Sequence, residues 1–155
     1  WKGNYGTSDW TAQKQWFYDT VSASEATFKV LITSSPILGP DRKNKNDNLS
    51  NAGYSFEQAE ILNFIKKQKN LFIVNVDRHW QYVTNVNNTN LWEFGCGAGA
   101  EVHAGGWKQE DFLPEHRFLR VKGGFLSVSV SSGNLPSIEF THHDVEGNPV
   151  NKVGF

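Results

Sequence analysis

The chain has a single cysteine, Cys96, and no methionine. One cysteine excludes an internal disulfide and any zinc site built on several thiolates, and the residue reads as a small core side chain. Positive charge is not in excess: 15 Lys and Arg against 16 Asp and Glu leave a formal net charge of -1, with the basic residues scattered along the chain. The counterion-release signature of a nucleic-acid binder is therefore missing, and nucleic acid is not an expected partner. No apolar run approaches the roughly 18 residues that a membrane-spanning helix requires, and no basic-then-apolar leader opens the chain. It starts at Trp1 and lacks Met throughout, so processing or excision from a longer polypeptide is expected, with sequence upstream.

What is present is enough for one domain: 155 residues can bury a core. Trp10 to Val21 sets Ala12, Trp16, Phe17, Thr20 and Val21 near helical spacing, with Thr7, Ser8 and Asp9 as caps. Phe28 to Thr33 is short, β-branched and aromatic, and is stopped by Ser34, Ser35 and Pro36, which predicts a strand. A long loop rich in Pro, Gly, Asp, Asn and Lys then runs to Tyr54. Ser55 and Gln58 form a capping-box pattern ahead of a helix through Lys69, with Phe56, Ala59, Ile61, Leu62, Phe64 and Ile65 on its apolar face and Lys66, Lys67 and Lys69 at its negative end. Leu71 to Val74 is a continuous apolar run, the mark of a strand covered on both faces. Strand, helix, strand make a βαβ unit with a parallel pair. After Gly105 the period falls to two over Arg117–Val121, Gly124–Ser131 and Ser137–Thr141, which predicts an antiparallel meander.

In α/β proteins ligands gather beyond the C-terminal ends of parallel strands. One such end is Ser34-Ser35-Pro36; the other is Asn75-Val76-Asp77-Arg78-His79-Trp80. In extended geometry Asp77 and His79 project to one side, and a carboxylate beside an imidazole makes a metal half-site. The alternative is a turn-capping Asp77 and a satisfied polar His79. Arg78, on the other side, offers a planar fork suited to phosphate. Asp41 and Arg42, with Asp47 and Asn48, stand in the long loop near the first strand end, and His103 in a Gly-rich segment; all are candidates to contact substrate. His142, His143 and Asp144 alternate across a strand and read as structural. Trp80, Trp92 and Trp107 read as packing residues.

Several segments follow one another in a recognisable order. These are Leu31 to Arg42, Lys45 to Asn48, Val76 to Tyr82, Glu93-Phe94-Gly95, His103 to Gly106, Gly123 to Val128 and His143-Asp144-Val145. Together they resemble the C-terminal half of the alkaline phosphatase D, or PhoD-like, family of calcineurin-like metallophosphoesterases. The resemblance implies an α/β fold, the second half of a four-layer αββα sandwich in which residues 1–155 are the C-terminal part of one domain and the first half is absent. It places the family's Gly-Asp-x-His element on Val76 to His79, making Asp77 and His79 metal ligands. It implies a dinuclear metal centre, with calcium or iron as the metals, that activates water for hydrolysis of a phosphate ester. Its partners would be that ester and an upstream segment or second chain, and its place the periplasm or cell exterior. Val76 stands where the family carries Gly, the turn after the first strand has serines rather than a ligating His, and the upstream ligands have no counterpart here. A non-catalytic binding or assembly module descended from the family is the alternative that these departures leave open.

Overall fold

The computed structural model describes residues 8–42 and 44–155, with side chains from Thr11 onward. Thr7 and the side chains of Ser8 and Asp9, expected as caps, lie outside the described residues. The first helix, α1, spans Ser8–Ala23. Its buried side carries Phe17, with Tyr18 and Val21 packed beside it, while Trp16 is 65 % exposed. Ala12 and Thr20 also face out, so the packing stripe is narrower than the spacing predicted.

Strand β1 (Lys29–Thr33) and strand β2 (Leu71–Asn75) lie parallel, Leu31 opposite Ile73, and are joined through the helix α2 (Ser55–Ile65). This is the expected βαβ unit. Every residue of β2 is buried. Leu71 and Ile73 meet Phe17, Ile61 and Ile65 of the helices, whereas Phe72 and Val74 face the other way, toward a second sheet. Cover on both faces explains why β2 is apolar without alternation.

The start of α2 departs from expectation. A 3-10 turn, Ala52–Tyr54, runs directly into it, so Ser55 already has helical backbone angles and its N–H bonds Ala52 O. No side-chain cap forms at Tyr54, and Gln58 Nε2 donates to Ile37 O at 2.6 Å instead. With the chain entering as a helical turn, the capping box has no free N–H groups to serve. Phe56 and Ala59 point outward and Glu57 inward, and the helix ends at Ile65, so the three lysines follow the last turn rather than occupy it.

Strands β3 (Gln81–Asn85) and β4 (Trp92–Cys96) form a hairpin that the periodicity did not signal. β4 runs parallel to β2, and strand β5 (His116–Arg120) adds antiparallel to β3. The five-stranded sheet thus has the order β1-β2-β4-β3-β5. The segment expected to open the meander belongs to this sheet. The meander itself is β6 (Phe125–Ser131), β7 (Ser137–His143) and β8 (Pro149–Gly154), a separate antiparallel sheet. Ile138 and Phe140 on β7 face the first sheet, and the rings of Phe94 and Phe140 stack at 4.0 Å. Helices, five-stranded sheet and three-stranded sheet form successive layers. Among the described residues no helix is long and apolar enough to cross a membrane.

Candidate functional site

The three parallel strands β1, β2 and β4 end on the same side of the sheet, and the segments that follow them meet around one cavity of about 430 Å³. The loop after β1 brings Arg42, Lys45 and Asp47. The turn after β2 brings Asp77, Arg78, His79 and Trp80, and the segment after β4 brings His103, Gly105 and Gly106. The Gly105 N–H donates to His79 O at 3.0 Å, which ties the second of these segments to the third.

β2 stops at Asn75, and Asp77 has φ 73° in the left-handed region that Asp tolerates better than most residues. Asp77 and His79 are therefore turn residues, not alternate positions of a strand as expected. They nevertheless share the cavity, with both side chains exposed, while Arg78 and Trp80 turn inward and are 4 % and 1 % exposed.

Arg78 is held by three carboxylates. Its Nη1 donates to Asp77 Oδ2 at 2.6 Å, and its Nη2 to Asp41 Oδ2 at 2.7 Å and Asp47 Oδ1 at 2.8 Å. Burial works against its charge, and the charges of Asp41, Asp47 and Asp77 outweigh that effect to raise its pKa. Arg78 is consequently a scaffold for the loops, not a free fork for phosphate, which corrects the expectation for it. Asp41 is corrected in the same way. Its side chain has zero exposure and accepts from the Arg42 N–H (2.7 Å), Asn48 Nδ2 (2.7 Å), Asn51 Nδ2 (3.3 Å) and Arg78, leaving no oxygen for substrate. Burial pushes its carboxyl up, but these bonds and the Arg78 charge hold it below the usual range.

Arg42 lines the cavity. Its guanidinium lies 5.5 Å over the Trp80 ring, and its Nε sits 3.7 Å from Asp41 Oδ1. His103 ends a short 3-10 turn, Glu101–His103, and is exposed at the cavity rim.

Glu93, the second residue of β4, supports the loop from behind. Its Oε2 accepts the N–H groups of Ile37 and Leu38, each at 2.8 Å, and its Oε1 accepts the Gly39 N–H at 3.0 Å and the Tyr82 hydroxyl at 2.7 Å. Asn75 Nδ2 donates to that hydroxyl at 2.8 Å. Burial raises the Glu93 carboxyl while the four donors oppose it, and burial with the adjacent Glu93 charge raises Tyr82 well above its ordinary value. Glu93 is not singled out as a positioning residue from sequence. The available signal for Glu93 was an acid between Trp92 and Phe94.

As a metal site the arrangement is partial. Asp77 offers Oδ1, which takes no hydrogen bond among the described residues, and His79 offers an exposed imidazole. Among the described residues no group of three or more His, Cys, Asp or Glu converges to hold an ion. Two donors suit a metal of oxygen and nitrogen preference but are too few to hold it alone. His142 and His143 belong elsewhere: His142 is buried with Nε2 3.0 Å from Gly95 O, and His143 stacks on Phe125 on the opposite face.

Solved structures share this architecture. Over 97 % of the chain the fold is similar to GAP50, described as the anchor in the inner membrane complex of Plasmodium, with TM-score 0.69 and 14 % identity. Over 90 % of the chain it is similar to PhoD, with TM-score 0.54 and 15 % identity. The chain spans 44 % of the first of these and 34 % of the second, under half of either. No curated protein sequence matches it. The model of the PhoD-like phosphatase family matches residues 11–144, nearly the whole length, and the chain belongs to that family.

Proposed function

We propose that the chain is the C-terminal part of a metal-dependent phosphoesterase, hydrolysing a phosphate mono- or diester once joined to an upstream segment or second chain. The observation that carries this reading is the meeting of Asp77, His79, Arg42 and His103 at one cavity where three parallel strands end. Asp77 and His79 are the two ligands this chain would contribute to a dinuclear centre of calcium or iron, which when bound supplies an activated water and charge neutralisation. Arg42 binds and orients the phosphoryl group, its guanidinium over the Trp80 ring. Arg78 positions Asp77.

The missing half is expected to pack along the open edge of the sheet, where β1 exposes Ile32 at 75 % and Val30 at 38 %. Export to the periplasm or cell surface follows from the family reading. The test is made on the assembled protein: metal content and hydrolysis of p-nitrophenyl phosphate and its bis ester. Asp77→Ala and His79→Ala are expected to lose metal and activity together. Full activity in either variant removes that residue from the site.

A second reading is supported by the Arg78 cation 2.6 Å from Asp77, where it competes with a metal for the same carboxylate. In that reading the chain is a non-catalytic anchor or assembly module, as the GAP50 description suggests for that protein. An assembled protein with neither metal nor turnover decides in its favour.

A further inference from the structure

The space around Arg42 does not end at its guanidinium. Arg42 and Gly106 also border a neighbouring cleft of about 860 Å³, whose far wall is Trp107, Phe112 and Leu113. That wall is held in place from behind. The Trp107 ring lies 5.3 Å from Trp80 and edge-on to His116 at 5.8 Å, and its Nε1 donates to Asp111 O at 3.2 Å. Phe112 meets the same imidazole edge-on at 5.5 Å, and His116 Nδ1 accepts the Leu113 N–H at 3.0 Å. Yet Phe112 and Leu113 remain 53 % and 36 % exposed. Rigidly supported apolar surface left open beside a polar cavity is the ordinary make-up of a ligand subsite.

We propose that this cleft receives the organic group of the ester whose phosphoryl group lies against Arg42, and that this group is aromatic or otherwise apolar. The inference rests on the phosphoesterase reading and deepens it. Arg42 stands at the junction, so a phosphoryl group on its hydrogen-bonding edge directs the attached alcohol toward Trp107. Trp107, Phe112 and Leu113 offer a sugar or glycerol alcohol no hydrogen bonds along that wall, whereas an apolar group covers it. A second phosphate would meet the exposed carboxylates of Glu110 and Asp111, which also line the cleft beside Lys108.

The experiment is calorimetric titration of the assembled, metal-loaded protein with methylphosphonate and benzylphosphonate, neither of which turns over. Benzylphosphonate is expected to bind at least about tenfold more tightly, the usual gain for one well-housed apolar group. Phe112→Ser, an exposed position, and Trp107→Leu are each expected to cut that preference to about twofold or less while methylphosphonate binding holds. Equal affinity for the two phosphonates in the unaltered protein, or a preference that survives both substitutions, overturns the subsite alone. Failure of methylphosphonate itself to bind overturns the phosphoesterase reading and the subsite with it.

Discussion

Arg78 and Asp41 form an ion pair at 2.7 Å in which both side chains are almost wholly buried, at 4 % and 0 % exposure. Removing Asp41 takes from the buried Arg78 the one wholly buried carboxylate of its three, and breaking such a pair typically costs about 3 kcal/mol or more. Asp41→Asn is therefore expected to lower stability by about 3 kcal/mol, read by urea unfolding at pH 7. Asp41 is held below the usual carboxylate range, so its contribution is full above the unfolded value of about 4 and is lost as pH falls through the lower folded value. The variant should lack that acid limb. A change under about 1 kcal/mol would show that Asp47 and Asp77 suffice to hold Arg78.

Glu93 carries a different load, since its four donors include three backbone N–H groups of the turn that launches the Arg42 loop. Glu93→Gln keeps the volume but replaces an accepting oxygen with a donating NH2, leaving N–H groups buried against a donor. The expected cost is about 2–4 kcal/mol, with faster proteolysis between Ile37 and Ser50 than in the unaltered protein. Unchanged cleavage in that loop would sever the link between Glu93 and the site.

The role of Glu93 depends on partners more than fifty residues away and has no local pattern in the sequence. β1 and β2 were legible as short apolar and β-branched runs bounded by turn residues, and α2 by the helical spacing of Ile61, Leu62 and Ile65. β3 and β4 were not legible. Their buried positions include Gln81, Tyr82, Thr84, Asn85, Glu93 and Gly95, polar or small residues whose burial depends on partners distant in sequence. Gly95 is needed because a Cβ there would lie 2.1 Å from the Tyr82 ring, a fact of pairing that no local pattern contains. For the same reason Arg78 looked like a free phosphate fork. Asp41 and Asp47 lie 37 and 31 residues before it.

His142 sets a pH limit on the packing of the two sheets. Burial pushes its pKa down to about 4, with only the Gly95 carbonyl favouring the charged form, while Arg120 and His143 disfavour it further. Phe94 and Phe118 pack against the ring, and Asn151 Nδ2 approaches Nδ1 at 3.4 Å. The unfolded chain binds this proton near pH 6.5 and the folded chain only near 4, so stability falls as pH drops through that window. The loss is about 3 kcal/mol. His142→Gln is expected to flatten the fall in Tm between pH 7 and 4, although the lowered pKa of His116 leaves part of it. An identical pH profile in the variant would place the acid sensitivity elsewhere.

Arg42 and Arg78 both border the cavity, but both terminal nitrogens of Arg78 already donate to carboxylates, whereas among the described residues those of Arg42 do not. The Arg42 guanidinium lies over the Trp80 ring at 5.5 Å, a cation–π contact that holds it at the cavity. If the cavity takes a phosphoryl group, inorganic phosphate should bind the assembled protein about tenfold or more weakly after Arg42→Ala, the loss expected for charge-assisted bonds. Arg42→Lys should recover only part of this, because an ammonium neither stacks on the indole nor presents a fork. Arg78→Met should act differently, lowering stability through its stranded carboxylates while phosphate affinity in the folded fraction follows Asp77 rather than the lost charge. Calorimetric titration of the variants, each normalised to its folded fraction, separates the two arginines. Loss of phosphate binding in Arg78→Met with none in Arg42→Ala would move the anion to the buried guanidinium and reverse the assignment.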